Sequence, residues 1–184
     1  MKAAAFVVGP RDGAGAVLAD LAHAVGFESV HRYQGLARAE TQVAKTPLLF
    51  FLCAPTGDVA SLRPMVDAVR YSPSLKLRFL PLIYFAREPS LETVKQCIAL
   101  GFDDVIALPI GGDDASERIG RQIGRIMTYY ETATYFGPDR RNRGAGPVRS
   151  GSSDHGGGQF RRIEIMRNPE TGIDVISDDL QVVV

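Results

Sequence analysis

The chain has 184 residues, 45% of them hydrophobic and 23% charged, with a formal net charge of zero. That length holds one domain with a sizeable core plus an appendage, and the zero balance removes any global field that would draw the chain to nucleic acid or a membrane surface. The longest apolar runs are far shorter than a membrane span and no signal peptide is visible; Cys53 and Cys97 both lie in apolar segments, as buried free thiols of a reducing compartment would, so a cytoplasmic protein is expected.

In chain order, Ala3–Val8 is an apolar run stopped by Gly9 and Pro10 and predicts a first strand. Over Gly13–Val25 the residues Val17, Leu18, Leu21 and Val25 share one helical face, and Gly26 closes it. Phe27–Tyr33 reads as a strand, followed by a weak helix to about Lys45. After Pro47 every residue to Cys53 is apolar, the pattern of a central strand covered on both faces. Ser61–Tyr71 predicts a helix with Leu62, Val66 and Val69 inward and Pro64 in its first turn, where proline is tolerated. Phe79–Phe85 is another apolar strand. Ser90 caps a helix over Leu91–Leu100, whose inner face is Leu91, Val94, Cys97 and Ile98, and Gly101 supplies its left-handed end. Phe102 re-enters the core, Asp103 and Asp104 read as a turn, and Val105–Leu108 is a short buried strand ended by Pro109. Ile119, Ile123, Ile126 and Tyr130 then predict a last helix over Ser116–Tyr130, with Arg118, Arg121 and Arg125 on its exposed side.

Strands alternating with helices through residue 130 predict an α/β fold: a doubly wound five-stranded parallel sheet of the flavodoxin-like order 2-1-3-4-5. Residues 1–134 form this domain, 135–159 an Arg/Gly/Ser-rich linker too polar to bury a core, and 160–184 a small β-hairpin. An isolated hairpin is marginal in water, so this one is expected to pair with the domain's own edge, another copy or a partner.

The spacing of the strands, Val25-Gly-Phe-Glu-Ser-Val30 after the first helix, and Gly101-Phe-Asp-Asp-Val-Ile-Ala-Leu-Pro109 resemble response-regulator receiver domains over residues 1 to about 130. The resemblance implies a bacterial signalling role. In that family an acidic pair after the first strand holds magnesium, and an Asp after the third accepts phosphate. A hydroxyl after the fourth strand and a Lys before the final Pro contact the phosphoryl group. Here those positions fall on Gly9 and Pro10, on Cys53 or within one residue of it, on Phe85 and on Leu108. None can do the chemistry, since magnesium needs hard oxygen ligands and leucine cannot neutralise a phosphoryl group. The expectation is therefore a pseudo-receiver: not an enzyme, without metal or cofactor, docking on a signalling partner such as a histidine kinase or another regulator, or on itself as a homodimer. Asp12 and Asp58 are loop acids away from the matching places, to be read as solvated rather than as substitute nucleophiles.

Other motifs are weaker. Gly9–Gly15 is glycine-rich but lacks the Lys-Ser/Thr of a phosphate loop. Cys53 has no basic neighbour to lower its pKa, and His23, His31 and His155 have no ligand spacing. Residues 137–167 hold seven arginines and no lysine, a bias toward planar, bidentate contact with phosphate. Arginine-rich appendages on receiver-like proteins bind cyclic di-GMP, so the resemblance implies an alternative in which Arg140, Arg141 and Arg143, with Arg161 and Arg162, clamp that nucleotide. Against it stand Glu170, Asp174, Asp178 and Asp179, which could pair the same arginines. Nucleic acid is disfavoured because such a tail would bind it mainly without specificity.

Overall fold

The computed structural model describes residues 1–11, 13–139 and 159–182. Asp12 and the arginines at 140, 141 and 143 lie outside the described residues.

Five parallel strands pair in the order β2-β1-β3-β4-β5: β1 (Ala4–Val8), β2 (Ser29–Arg32), β3 (Leu49–Cys53), β4 (Leu82–Ala86) and β5 (Asp104–Ala107). The inner three are buried at every position, because helices cover both faces of a doubly wound sheet and leave no solvent side for polar alternation. The helices are α1 (Ala14–Val25), α2 (Leu36–Val43), α3 (Arg63–Arg70, led in by a 3₁₀ turn at Val59–Leu62), α4 (Leu75–Arg78), α5 (Leu91–Leu100) and α6 (Gly112–Gly120). Gly26 and Gly101 end α1 and α5 with φ of 86° and 92°, and the Ser90 hydroxyl accepts from the Thr93 N–H at 3.0 Å. These ends match the sequence reading. Val17 and Leu91, assigned to inner faces, instead lie at the surface, 60% and 72% exposed.

The larger correction concerns residues after α6. The helix expected over Ser116–Tyr130 stops at Gly120, the chain turns through Gly124 at φ 70°, and Ile126–Glu131 is strand β6. With β7 (Phe136–Pro138), β8 (Gln159–Asn168) and β9 (Gly172–Val182) it forms a second, antiparallel sheet of order β7-β6-β8-β9. The isoleucine spacing does fit a helical period, but two glycines inside a helix each cost about 1 kcal/mol. Six consecutive pairings, from Ile126 with Met166 to Glu131 with Arg161, favour the strand. Ile126, read as core, is 60% exposed. The hairpin β8–β9 thus pairs with its own chain. Its second strand is continuous through residues 177–180, with an irregularity in register opposite Glu164 and Ile165.

The second sheet lies on the first domain through a separate small core: Phe79, Tyr129, Phe136, Ile163 and Ile165, with Met127 and Ile173 against it. Phe79, expected in a strand of the main sheet, follows α4 and stands edge-on to Tyr129 at 5.1 Å.

Candidate functional site

Open parallel sheets place their sites at the C-terminal ends of the strands. Gly9 follows β1, Cys53 ends β3, Phe85 is the penultimate residue of β4 and Leu108 follows β5. Cys53 and Phe85 are fully buried in the main core, and Leu108 packs against it. Gly9 has φ 156°, and a Cβ there would stand 2.7 Å from the Ala54 Cβ, so the close approach of the loops after β1 and β3 leaves no room for a side chain at Gly9 itself. Burial, followed by the neighbouring Cys97, pushes the Cys53 thiol far above its ordinary range, which leaves it a poor nucleophile. Asp58, one of the two loop acids, accepts from the Ala60 N–H at 2.9 Å as the N-cap of the 3₁₀ turn. Pro10 is exposed at this edge.

The opposite, N-terminal end of the sheet carries the buried charge. Asp103 and Asp104, read from sequence as a turn, are both buried. The Asp103 carboxylate receives Arg70 at 2.6 Å, Arg167 at 2.7 Å and the Leu82 N–H at 2.7 Å, and also the Tyr129 hydroxyl, to which Arg167 itself donates. Arg70 gives its remaining donors to the carbonyls of Gly101, Arg78 and Leu80 at 2.7–2.9 Å. Arg167 donates to the Phe79 carbonyl at 2.8 Å and the Gln122 side chain at 2.9 Å. Both guanidiniums stand over the Tyr129 ring, 5.6 and 5.8 Å from its centroid. Burial alone would raise the Asp103 pKa; the two guanidiniums, with the hydrogen bonds from Arg167 and Tyr129, reverse that and hold it at about 2. Burial raises the Tyr129 phenol, so it stays protonated and donates. Gly101 completes this seam, because a Cβ on it would overlap the Phe136 carbonyl of β7.

Beside the seam is a cavity of about 580 Å³ whose wall includes Arg118, Arg121, Arg125, Arg162, Thr128 and Tyr130. Of the tail arginines proposed as a clamp, Arg161 and Arg162 are the described pair. Strand alternation sends them to opposite faces of β8. Arg161 pairs with Asp178, 3.0 Å from Nε, and lies 3.7 Å from Glu131, whereas Arg162 pairs with Glu164 and lines the cavity. The structure does not bring the two together.

Sequence reasoning missed Asp103, Arg70, Arg167 and Tyr129 as a unit. Arg167 counts there only as one of seven arginines in 137–167, and Arg70 is not singled out. The one available signal was the arrangement of Gly101 and the two acids around Phe102, which reads equally well as an ordinary turn.

Among the described residues, no group of three or more His, Cys, Asp or Glu could hold a metal ion, and no helix is long and apolar enough to cross a membrane. No protein-family model matches the chain, and no curated protein is similar to it in sequence. The solved structures it resembles are response-regulator receiver domains. One is a protein described as a response regulator from Chloroflexus aurantiacus (17% identity over 64% of this chain and 94% of that one, TM-score 0.47). Another is the receiver domain of a sensor histidine kinase from Pseudomonas aeruginosa, with magnesium in its active-site cleft (16%, 64% and 94%, 0.45). A third is a receiver-domain protein from Methanospirillum hungatei (21%, 65% and 91%, 0.43).

Proposed function

We propose that this chain is an atypical response regulator, a pseudo-receiver that acts in bacterial signalling by binding a partner protein and transfers no phosphoryl group. One observation carries the reading: the strand ends where such chemistry would sit present Gly9, Pro10, Cys53, Phe85 and Leu108, with two of these fully buried and no carboxylate among them. Contact with a histidine kinase or another regulator is then the output, with the β5–α6 face and the second sheet as the surface. Strand β9 supports this, since it is the outermost strand of its sheet and exposes Ile176, Leu180 and Val182, a place where a partner strand can add. The same edge would serve a homodimer.

Incubation with acetyl phosphate and magnesium, followed by intact-mass measurement, tests the first half of the reading. An unchanged mass is expected, and gain of one phosphoryl group would overturn it. A second reading, binding of cyclic di-GMP, is favoured by the position of Arg162 on the cavity wall. Calorimetric titration of the full chain with that nucleotide tests it, and absence of heat would remove it.

A further inference from the structure

We propose that the cavity between α6, the turn into β6, and β8 is a binding site for a phosphorylated nucleotide, with the phosphate held by Arg121, Arg125 and Arg162 and the base laid on Tyr130. It shares only Arg162 with the cyclic di-GMP reading and does not depend on the arginines at 140, 141 and 143.

The volume, about 580 Å³, lies within the usual span of small-molecule sites. Four arginines and no lysine stand on its wall, and arginine's planar fork matches phosphate oxygens two at a time. Of the three acids on the same wall, two are already neutralised. Asp103 faces Arg70 and Arg167. Asp104 takes Arg118 in a bidentate pair at 3.0 and 3.2 Å. Asp139 is the third.

Arg118 is therefore held in place by its own partners and contributes field rather than a free fork. Arg121 pairs with Glu117 one helical turn away, both more than half exposed, and such a pair is weak enough to yield to a better anion. Arg125 is exposed and has no acidic partner among the described residues. Arg162 reaches Glu164 and is hydrogen-bonded to Tyr130. A phosphate entering the cavity meets the exposed Arg125 directly and competes with Glu117 for Arg121 and with Glu164 for Arg162. The half-buried Tyr130 ring, 5.7 Å from Phe160, offers a flat apolar surface beside them. Stacking of a base on an aromatic ring is worth about 1–3 kcal/mol. The Thr128 hydroxyl adds a neutral partner for a sugar or base edge.

The test is calorimetric titration of the full chain at low salt with GMP, cyclic di-GMP and inorganic phosphate. At least one nucleotide should bind, with inorganic phosphate at least tenfold weaker. Arg125→Ala and Arg162→Ala should each weaken nucleotide binding tenfold or more. Tyr130→Leu should weaken nucleotide binding and leave phosphate unaffected. Arg161→Ala, on the other face of β8, should change nothing. Arg125 is exposed and outside the buried network, so its variant keeps the fold, as an unchanged thermal melt would verify, and decides the matter if Arg162→Ala does not fold. Absence of heat with both nucleotides overturns the site, as does phosphate binding as tightly as either nucleotide. Binding lost in a triple alanine variant at 140, 141 and 143 but kept in Arg125→Ala also overturns it and assigns the nucleotide to the tail instead.

Discussion

At the C-terminal end of the parallel sheet the chain has small or apolar residues packed against one another. At the N-terminal end it buries two aspartates, two arginines and a tyrosine. At the first end Cys53 and Phe85 are wholly enclosed by other side chains. The second buries costly charge, and there it joins the two sheets. Buried ions are expensive unless paired and hydrogen-bonded, and here nearly every donor of both guanidiniums has a partner. The network therefore gives the antiparallel sheet a single position on the domain, because any shift would leave a charge unpaired. The contrast separates two ways of closing a sheet end: one filled by apolar packing, the other specified by polar contacts.

Removing the centre of that seam should have the largest effect. Asp103→Ala strands two buried arginines, and a loss of about 3–5 kcal/mol is expected, read as a lower urea midpoint; a change under 1 kcal/mol would show that the seam is not a structural lock. The same group governs acid stability. Its folded pKa of about 2 lies below the ordinary 3.8, so the unfolded chain takes up the proton first as pH falls. The contribution is complete above about pH 4 and disappears toward pH 2, for a total of about 2 kcal/mol. Urea midpoints at pH 5 and pH 2.5 should differ less in Asp103→Asn than in the parent chain.

Gly101→Ala comes next. Its φ of 92° and the Phe136 carbonyl beside it make a cost of about 1–3 kcal/mol, with β7 displaced from the end of α5; hydrogen exchange at Phe136–Pro138 would report the displacement. At the C-terminal end of the parallel sheet, the buried Cys53 thiol should be inert to a thiol reagent in the native chain and react only after unfolding. Rapid native labelling would mean that this end opens. The smallest effect belongs to Lys2, which meets Glu170 at 3.2 Å with both side chains largely exposed. Lys2→Ala should change stability by less than about 0.5 kcal/mol, in contrast to the buried pairs of the same seam.

Much of the first sheet was legible along the chain. Apolar runs at β1, β3 and β4, a cap at Ser90 and left-handed glycines at 26 and 101 are local signals, and the strand order followed from the handedness of successive crossovers. The strand-end residues could be located the same way, because Cys53 and Phe85 lie in the last two residues of their strands, Gly9 and Leu108 directly follow theirs, and Pro10 is one residue further on. The second sheet could not be read so. Residues 126–131 satisfy a helical period, and only pairing with residues 161–166 selects the strand, an interaction that no local pattern encodes. Arg70, Asp103, Tyr129 and Arg167 are far apart in sequence, and each alone reads as surface or turn. The sequence by itself determined the hydrophobic periodicity and the caps, because these depend on residue type and near neighbours. Only the tertiary structure decided which polar groups would be buried together, because the free energy of a buried charge depends on the partners that surround it.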